Sequence, residues 1–181
     1  MLSMEPYIDG VYDDLRSSTK KVYKKVVNNR ELELYKLAEK HGLCPKLIEV
    51  YDYKGIITIT QEEQVIRINE HPYVLVNEYF PKTLYNYNSK DILSIFDKIG
   101  EVMKKLHSIG IAHLDSNPGN IVIDNDERVL LIDFGNSDYI KNITIQDAQE
   151  DSFNWNKKFN TVEELLAYEE TSTYRDAFYD Y

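Results

Sequence analysis

The sequence predicts an α+β protein, a strand-rich first half followed by a mainly helical second half, and three observations lead there. β-Branched and aromatic runs separated by turn residues fill the chain as far as Pro81. Beyond it, Ile92, Ile95, Phe96, Ile99, Val102, Met103 and Leu106 fall at the i, i+3, i+4, i+7 spacing of a helix with one buried face. Two short apolar runs, Ile121–Asp124 and Val129–Ile132, then bracket the polar Asn125-Asp126-Glu127 as a hairpin. With 181 residues the chain suits one domain or two small lobes sharing a cleft, and at 43% hydrophobic and 29% charged residues it can bury a core.

The first 27 residues read as short strands: Met4–Ile8, a turn at Asp9-Gly10, Val11–Leu15, the polar Arg16-Ser17-Ser18-Thr19, and Lys21–Val27. Asn28-Asn29 offers a cap for a helix carrying Leu34, Leu37 and Ala38, and Gly42 ends it. Pro45 opens further β structure: Leu47–Tyr53, a Lys54-Gly55 turn, Ile56–Thr60, Gln64–Asn69 and Tyr73–Phe80. In the second half, Asp91 caps the long helix over 92–107 and Gly110 closes it. A last helix is predicted over Val162–Glu169, with Thr161 as cap and Glu164 three residues on. The final dozen residues are expected to be loosely held. The division is thus 1–80 and 81–181.

Composition excludes several functions. A net charge of −10 argues against binding nucleic acid over the whole surface. The single cysteine, Cys44, permits no internal disulfide and no multi-cysteine metal site, and four scattered histidines without HExxH argue against structural zinc. No apolar run reaches the ~18 residues of a membrane span, and no signal-peptide core stands at the N-terminus, so an intracellular, cytoplasmic protein is expected. Charge is also uneven. Residues 16–46 hold nine basic against three acidic groups, whereas 147–181 hold nine acidic against three basic. A basic segment in an acidic chain suits a compact polyanion such as a nucleoside triphosphate.

The chemistry concentrates in Ile111-Ala112-His113-Leu114-Asp115-Ser116-Asn117-Pro118-Gly119-Asn120 and in Asp133-Phe134-Gly135. A helix leads into a loop carrying a carboxylate and a carboxamide, a hairpin follows, and a second carboxylate precedes a glycine. Asn120 and Asp133 are 13 residues apart, a distance a short hairpin closes. Together they offer the oxygen ligands that Mg²⁺ prefers when phosphate and water complete its shell. Asp115, on the same loop, is free to meet a substrate.

These residues resemble the protein-kinase-like superfamily. His113-x-Asp115-x4-Asn120 and Asp133-Phe134-Gly135 match its HxDxxxxN and DFG signatures, including the 18-residue gap between the aspartates. The resemblance implies a bilobal fold, with a small antiparallel-sheet N-lobe and a truncated, mainly helical C-lobe. It further implies ATP and Mg²⁺ as cofactors, Asp115 as the catalytic base, and Asn120 with Asp133 as metal ligands. His113 and Phe134 become internal supports. Val74–Phe80 looks like the strand and hinge that hold adenine through backbone groups near Glu78 and Phe80.

Val22-Tyr23-Lys24-Lys25 looks like the strand bearing the phosphate-anchoring lysine. Val22 and Lys24 share one face in the family's apolar-x-Lys pattern, which favours Lys24 over Lys25. Its carboxylate partner is Glu31, in phase with Leu34 and Ala38, rather than Glu33, in phase with Lys36; Asn28 and Glu31 fit a capping pair equally well.

The chain also departs from the common pattern. GxGxxG is absent, and the Arg16–Lys20 tract offers backbone amides and hydroxyls in its place. Leu114 stands where HRD has arginine, and Asn117 replaces the lysine usual two residues after the aspartate. Only 46 residues follow Gly135, without an APE. In these respects the chain resembles the RIO kinases, the kinase subunit of the KEOPS complex, and the aminoglycoside and choline phosphotransferases. The expectation is an atypical serine/threonine kinase acting on a protein substrate or partner. A small-molecule kinase, or a weakly active mimic that binds a partner, is the alternative.

Overall fold

The computed structural model describes residues 9–52, 73–88, 91–146 and 159–171. The strands expected at Met4–Ile8, Ile56–Thr60 and Gln64–Asn69, the Lys54-Gly55 turn and, of the final dozen residues, all but the two that end the last helix lie outside the described residues.

A four-stranded antiparallel sheet comes first. It is built from β1 (Gly10–Asp13), β2 (Lys21–Val27), β3 (Leu47–Asp52) and β4 (Tyr73–Glu78), in the order β1-β2-β4-β3. The β2–β4 register sets Lys24 opposite Val76 and Lys25 opposite Leu75. Successive side chains alternate between faces, so this register decides what each lysine can reach. Both faces are apolar. Val22, Val74 and Val76 pack on the outer face with Tyr12, Val26 and Ile48 around them. Val27 and Leu75 face inward, in the same core as Leu34, Tyr35 and Ala38 of α1 (Asn29–Lys40).

Strand β2 passes into α1 through one residue, Asn28. Its side chain caps the helix by accepting from the Glu31 N–H at 2.8 Å. The helix ends where Gly42 takes φ +70° and Leu43 N–H donates to Ala38 O at 3.1 Å.

The second half centres on α2 (Ile92–Ser108), capped by Asp91 through a 3.1 Å bond from Ser94 N–H. The predicted stripe is its buried side: Ile95, Phe96, Ile99, Met103 and Leu106 are all buried. Truncating any of the leucine- or isoleucine-sized members to alanine costs about 2–5 kcal/mol. Two small antiparallel pairs follow. The chain runs through β5 (Ile111–Ala112), β6 (Ile121–Ile123), β7 (Val129–Leu131) and β8 (Asp138–Tyr139), with β6 on β7 and β5 on β8. The hairpin β6–β7 matches expectation; two-residue strands such as β5 and β8 leave no periodic trace and were not foreseen.

The last described helix, α3 (Val162–Thr171), lies against α2, with Glu170 O so near Gly100 that a Cβ there would sit 2.9 Å from it. Thr161 Oγ1 accepts from Glu164 N–H at 3.2 Å, as the cap predicts, while the Glu164 carboxylate returns to Asn160 N–H at 2.9 Å. The halves are joined by backbone bonds: Leu131 N–H donates to Leu43 O at 2.8 Å, within the core that also holds α1 and α2. Among the described residues no helix is long and apolar enough to cross a membrane.

Candidate active site

The site forms where the inner face of the sheet, the first turn of α1 and the β6–β7 hairpin meet. Lys25 projects from the inner face of β2 and bonds two carboxylates at once: Glu31, and Asp133 at 2.7 Å. The expectation of Lys24 is corrected here. Its ammonium lies 4.8 Å from the Tyr12 ring centre, among the residues of the outer face. The apolar-x-Lys pattern pointed to the wrong lysine because Val22 packs on that outer face, whereas Tyr23, Lys25 and Val27 occupy the inner one.

Glu31 holds both roles open to it. Its N–H is capped by Asn28, and its carboxylate goes to Lys25 instead of returning to the cap. Burial opposes the Lys25 ammonium, but Glu31 and Asp133 outweigh it and raise its pKa above the ordinary lysine value. Burial pushes the Glu31 carboxyl up against the opposing pull of Lys25. Asp133 is held below the usual carboxylate range: burial would raise it, and Lys25 and a bond from Gly135 N–H prevail. Gly135 is where the chain passes the trio, and a Cβ there would stand 3.1 Å from Asp133 Oδ1 and 3.5 Å from Lys25 Nζ.

The two motif loops are locked together beneath this trio. His113 is fully buried, and its Nε2 lies 2.9 Å from Ile132 O. A carbonyl only accepts, so Nε2 carries the proton. Nδ1 is then left as acceptor for Asp115 N–H at 3.3 Å. Burial keeps this imidazole neutral by lowering its pKa. The Phe134 ring sits 5.1 Å from that of His113 and edge-on to Tyr35, so both expected supports are internal.

Asp115 is fixed by its neighbours. Oδ1 accepts from Asn117 Nδ2 at 3.0 Å and Oδ2 from Asn120 Nδ2 at 3.1 Å. Burial raises its pKa, with the Asn117 bond opposing. Asn117 Oδ1 in turn caps the turn at Pro118–Asn120 through Gly119 N–H. Asn120 thus spends its amide nitrogen on Asp115 and keeps a carbonyl oxygen, the atom type a hard cation takes. Ile132 N–H bonds Asn120 O at 2.9 Å, which sets Asn120 beside the residue next to Asp133.

Two features escaped the sequence reading. Leu114 and Asp133 both adopt left-handed backbone, φ +64° and +60°. Leu114 N–H is taken by Glu169 of α3, whose other oxygen holds His107 Nε2 at 2.9 Å, while Glu170 holds His107 Nδ1 at 2.6 Å. Leu114 and Glu169 are 55 positions apart, and no local pattern carried that contact.

A cavity of about 200 Å³ opens beside the trio. Lys25, Glu31, Asn120 and Asp133 line one side; Leu75, Asn77, Glu78 and Phe80 line another. Glu78 and Phe80, the residues expected to form a hinge, are among the lining residues, and Lys24 is not. Among the described residues no cluster of three His, Cys, Asp or Glu side chains suited to a metal occurs. A cation at Asn120 and Asp133 would complete its shell with phosphate oxygens and water, which fits Mg²⁺.

A small antiparallel sheet over a helical half, with a lysine–carboxylate pair facing two paired motif loops, defines a kinase-like α+β domain. The sequence pattern of the protein kinase domain family matches residues 14–177, and the chain belongs to that family. It is similar to a probable bifunctional tRNA threonylcarbamoyladenosine biosynthesis protein of Methanosphaera stadtmanae, 30% identical over 89% of this chain and 30% of that protein. It is also similar to sperm motility kinase 1 of Mus musculus, 28% identical over 53% of this chain and 21% of the relative. A third relative, the 3-deoxy-D-manno-octulosonic acid kinase of Vibrio parahaemolyticus, is 37% identical over 26% of this chain and 24% of its own length. The chain spans less than a third of the length of these relatives.

Proposed function

We propose that the chain is an ATP-dependent phosphotransferase, most akin to the atypical serine/threonine kinases, transferring the γ-phosphate to a hydroxyl of a protein. The observation that carries this reading is the ammonium of Lys25, held at the cavity wall by Glu31 and reaching Asp133 from 108 residues away. On this reading 1–80 covers the nucleotide and 81–181 supplies the reacting side chains. Lys25 steadies the α/β-phosphates and Glu31 aims it. Asn120 and Asp133 hold Mg²⁺, which when bound neutralises charge on the phosphate oxygens. The base lies against the backbone of Glu78 and Phe80.

Asp115 receives the acceptor proton. The bonds from Asn117 and Asn120 fix its carboxylate, and burial raises its proton affinity, which suits a base. His113, neutral and bonded across both loops, keeps Asp115 and Asp133 in register. Most of the rate then comes from positioning and preorganised charge. The use of ATP and Mg²⁺ agrees with an intracellular setting.

A small-molecule acceptor is the second reading, favoured by the 37% identity to a sugar-acid kinase over 57 residues. The test is transfer from γ-labelled ATP to a panel of protein hydroxyls and of sugars, aminoglycosides and choline. Asp115→Ala is expected to abolish transfer, a loss of about 10²–10⁴-fold, and to spare nucleotide binding. Asp133→Ala is expected to lose the Mg²⁺-dependent part of binding. Transfer at the wild-type rate by Asp115→Ala would remove the role assigned to that carboxylate.

A further inference from the structure

One wall of the cavity carries a buried hydrogen-bond acceptor with no donor among the described residues. Asn77 is 5% exposed, shares the inner face of β4 with Leu75, and lines the cavity. Its Nδ2 donates to Glu78 O at 2.7 Å. That bond fixes the orientation of the carboxamide, because the reversed amide would set two oxygens against each other at the same distance. Oδ1 is therefore the atom left over, and no described residue donates to it. Buried polar atoms in this state are rare and point to a ligand that completes them.

The surroundings narrow the ligand. Leu75 and Val122 line the same cavity and offer apolar contact suited to a flat ring, while Lys25 stands at its charged side. We infer that Asn77 reads the nucleobase: Oδ1 accepts from an exocyclic amino group, which selects adenine over purines bearing a 6-oxo group. This rests on the cavity being the nucleotide site and adds to it a residue that chooses among nucleotides. A 6-oxo purine would turn an acceptor toward Oδ1, leaving two oxygens unpaired in a confined space. The Glu78 carbonyl acts through Asn77, as the group that engages Nδ2 and so leaves Oδ1 as the free acceptor.

The experiment is calorimetric titration of the whole chain, with Mg²⁺, against ATP, GTP and purine riboside triphosphate, which lacks any 6-substituent. The wild-type protein is expected to bind ATP about 3- to 10-fold more tightly than purine riboside triphosphate, the worth of one hydrogen bond. GTP is expected to bind roughly tenfold or more weakly than ATP. In Asn77→Leu, close to Asn in size and shape, the ratio of ATP to purine riboside triphosphate is expected to fall to about one. Equal wild-type affinities for those two nucleotides would overturn the inference with no variant needed, as would an unchanged ratio in Asn77→Leu. Failure of the wild-type chain to bind any nucleoside triphosphate would overturn the reading of the cavity and this inference with it. Binding that ignores the base would overturn the inference alone.

Discussion

Exchanging the two adjacent lysines of β2 for methionine, one at a time, separates their surroundings. In Lys25→Met the ammonium is lost from between Glu31, whose side chain is 6% exposed, and Asp133, whose side chain is 44% exposed. The Asp133 contact is nearly half in solvent and is worth about 0–1 kcal/mol to the fold. The Glu31 contact is different, since breaking a buried pair strands a charge at about 3–5 kcal/mol. Burial already raises the Glu31 pKa, so proton uptake relieves part of the cost and favours the lower end.

At 2–4 °C per kcal/mol for a chain of this size, a loss of about 3 kcal/mol lowers the melting midpoint by about 6–12 °C. Lys24→Met removes one partly exposed cation–π contact of about 0.5–1 kcal/mol, and the midpoint falls by about 1–4 °C. The assay is thermal melting followed by circular dichroism at pH 7 and pH 5.5. With Lys25 gone, the folded pKa of Glu31 lies further above its unfolded value. Lys25→Met therefore regains stability as the pH falls, and Glu31→Gln in that background restores part of the midpoint. Equal losses for the two lysines, or a gap between Lys25→Met and wild type that does not narrow at pH 5.5, would refute the reasoning.

The contact between α2 and α3 should respond to pH in the opposite sense to ordinary acid denaturation. Burial opposes the charged form of His107, but Glu169 and Glu170 prevail and raise its pKa above 6.5, so its contribution is full below that pH and fades as pH rises through the folded value. Urea unfolding from pH 6 to pH 9 is expected to show the wild type losing about 1–2 kcal/mol more than Glu170→Gln, and parallel curves would count against the paired imidazolium. Gly135→Ala sets a Cβ 3.1 Å from Asp133 Oδ1 at a backbone angle alanine accepts, so the carboxylate must yield by a few tenths of an ångström. Mg²⁺-dependent nucleotide affinity is expected to drop about three- to tenfold with little change in melting midpoint, and an unaffected affinity would show that Asp133 has room to spare.

Much of the fold was legible because period and punctuation agree along the chain. Strand β2 falls on Lys21–Val27 as predicted, and the α2 stripe runs from its Asp91 cap to the turn at Gly110. The hairpin β6–β7 was legible for the same reason, and it brings Asn120 beside the residue next to Asp133. Parity within β2 was not legible. With valines covering one face of the sheet and Val27 and Leu75 the other, an apolar-x-Lys triplet fits either face, and only pairing with β4 and α1 decides. The two-residue pairing of β5 with β8, and Glu169 reaching Leu114, depend on chain segments brought together from far apart. The left-handed turn at Leu114 left no trace either, since leucine rarely takes such a backbone, whereas Asp133 is of a type that tolerates it but is also common in ordinary turns.

The single-residue joint at Asn28 has a bearing on control. An arm bearing Lys25 and a helix bearing Glu31 that meet without slack cannot swing apart as rigid bodies; separating the two charges requires unravelling the first turn that Asn28 secures. Any on–off device in this molecule would therefore act from the opposite bank, by withdrawing Asp133, whose side chain is the wetter of the two carboxylates on the ammonium. The short-range bond is the fixed hinge pin, and the long-range one is the latch.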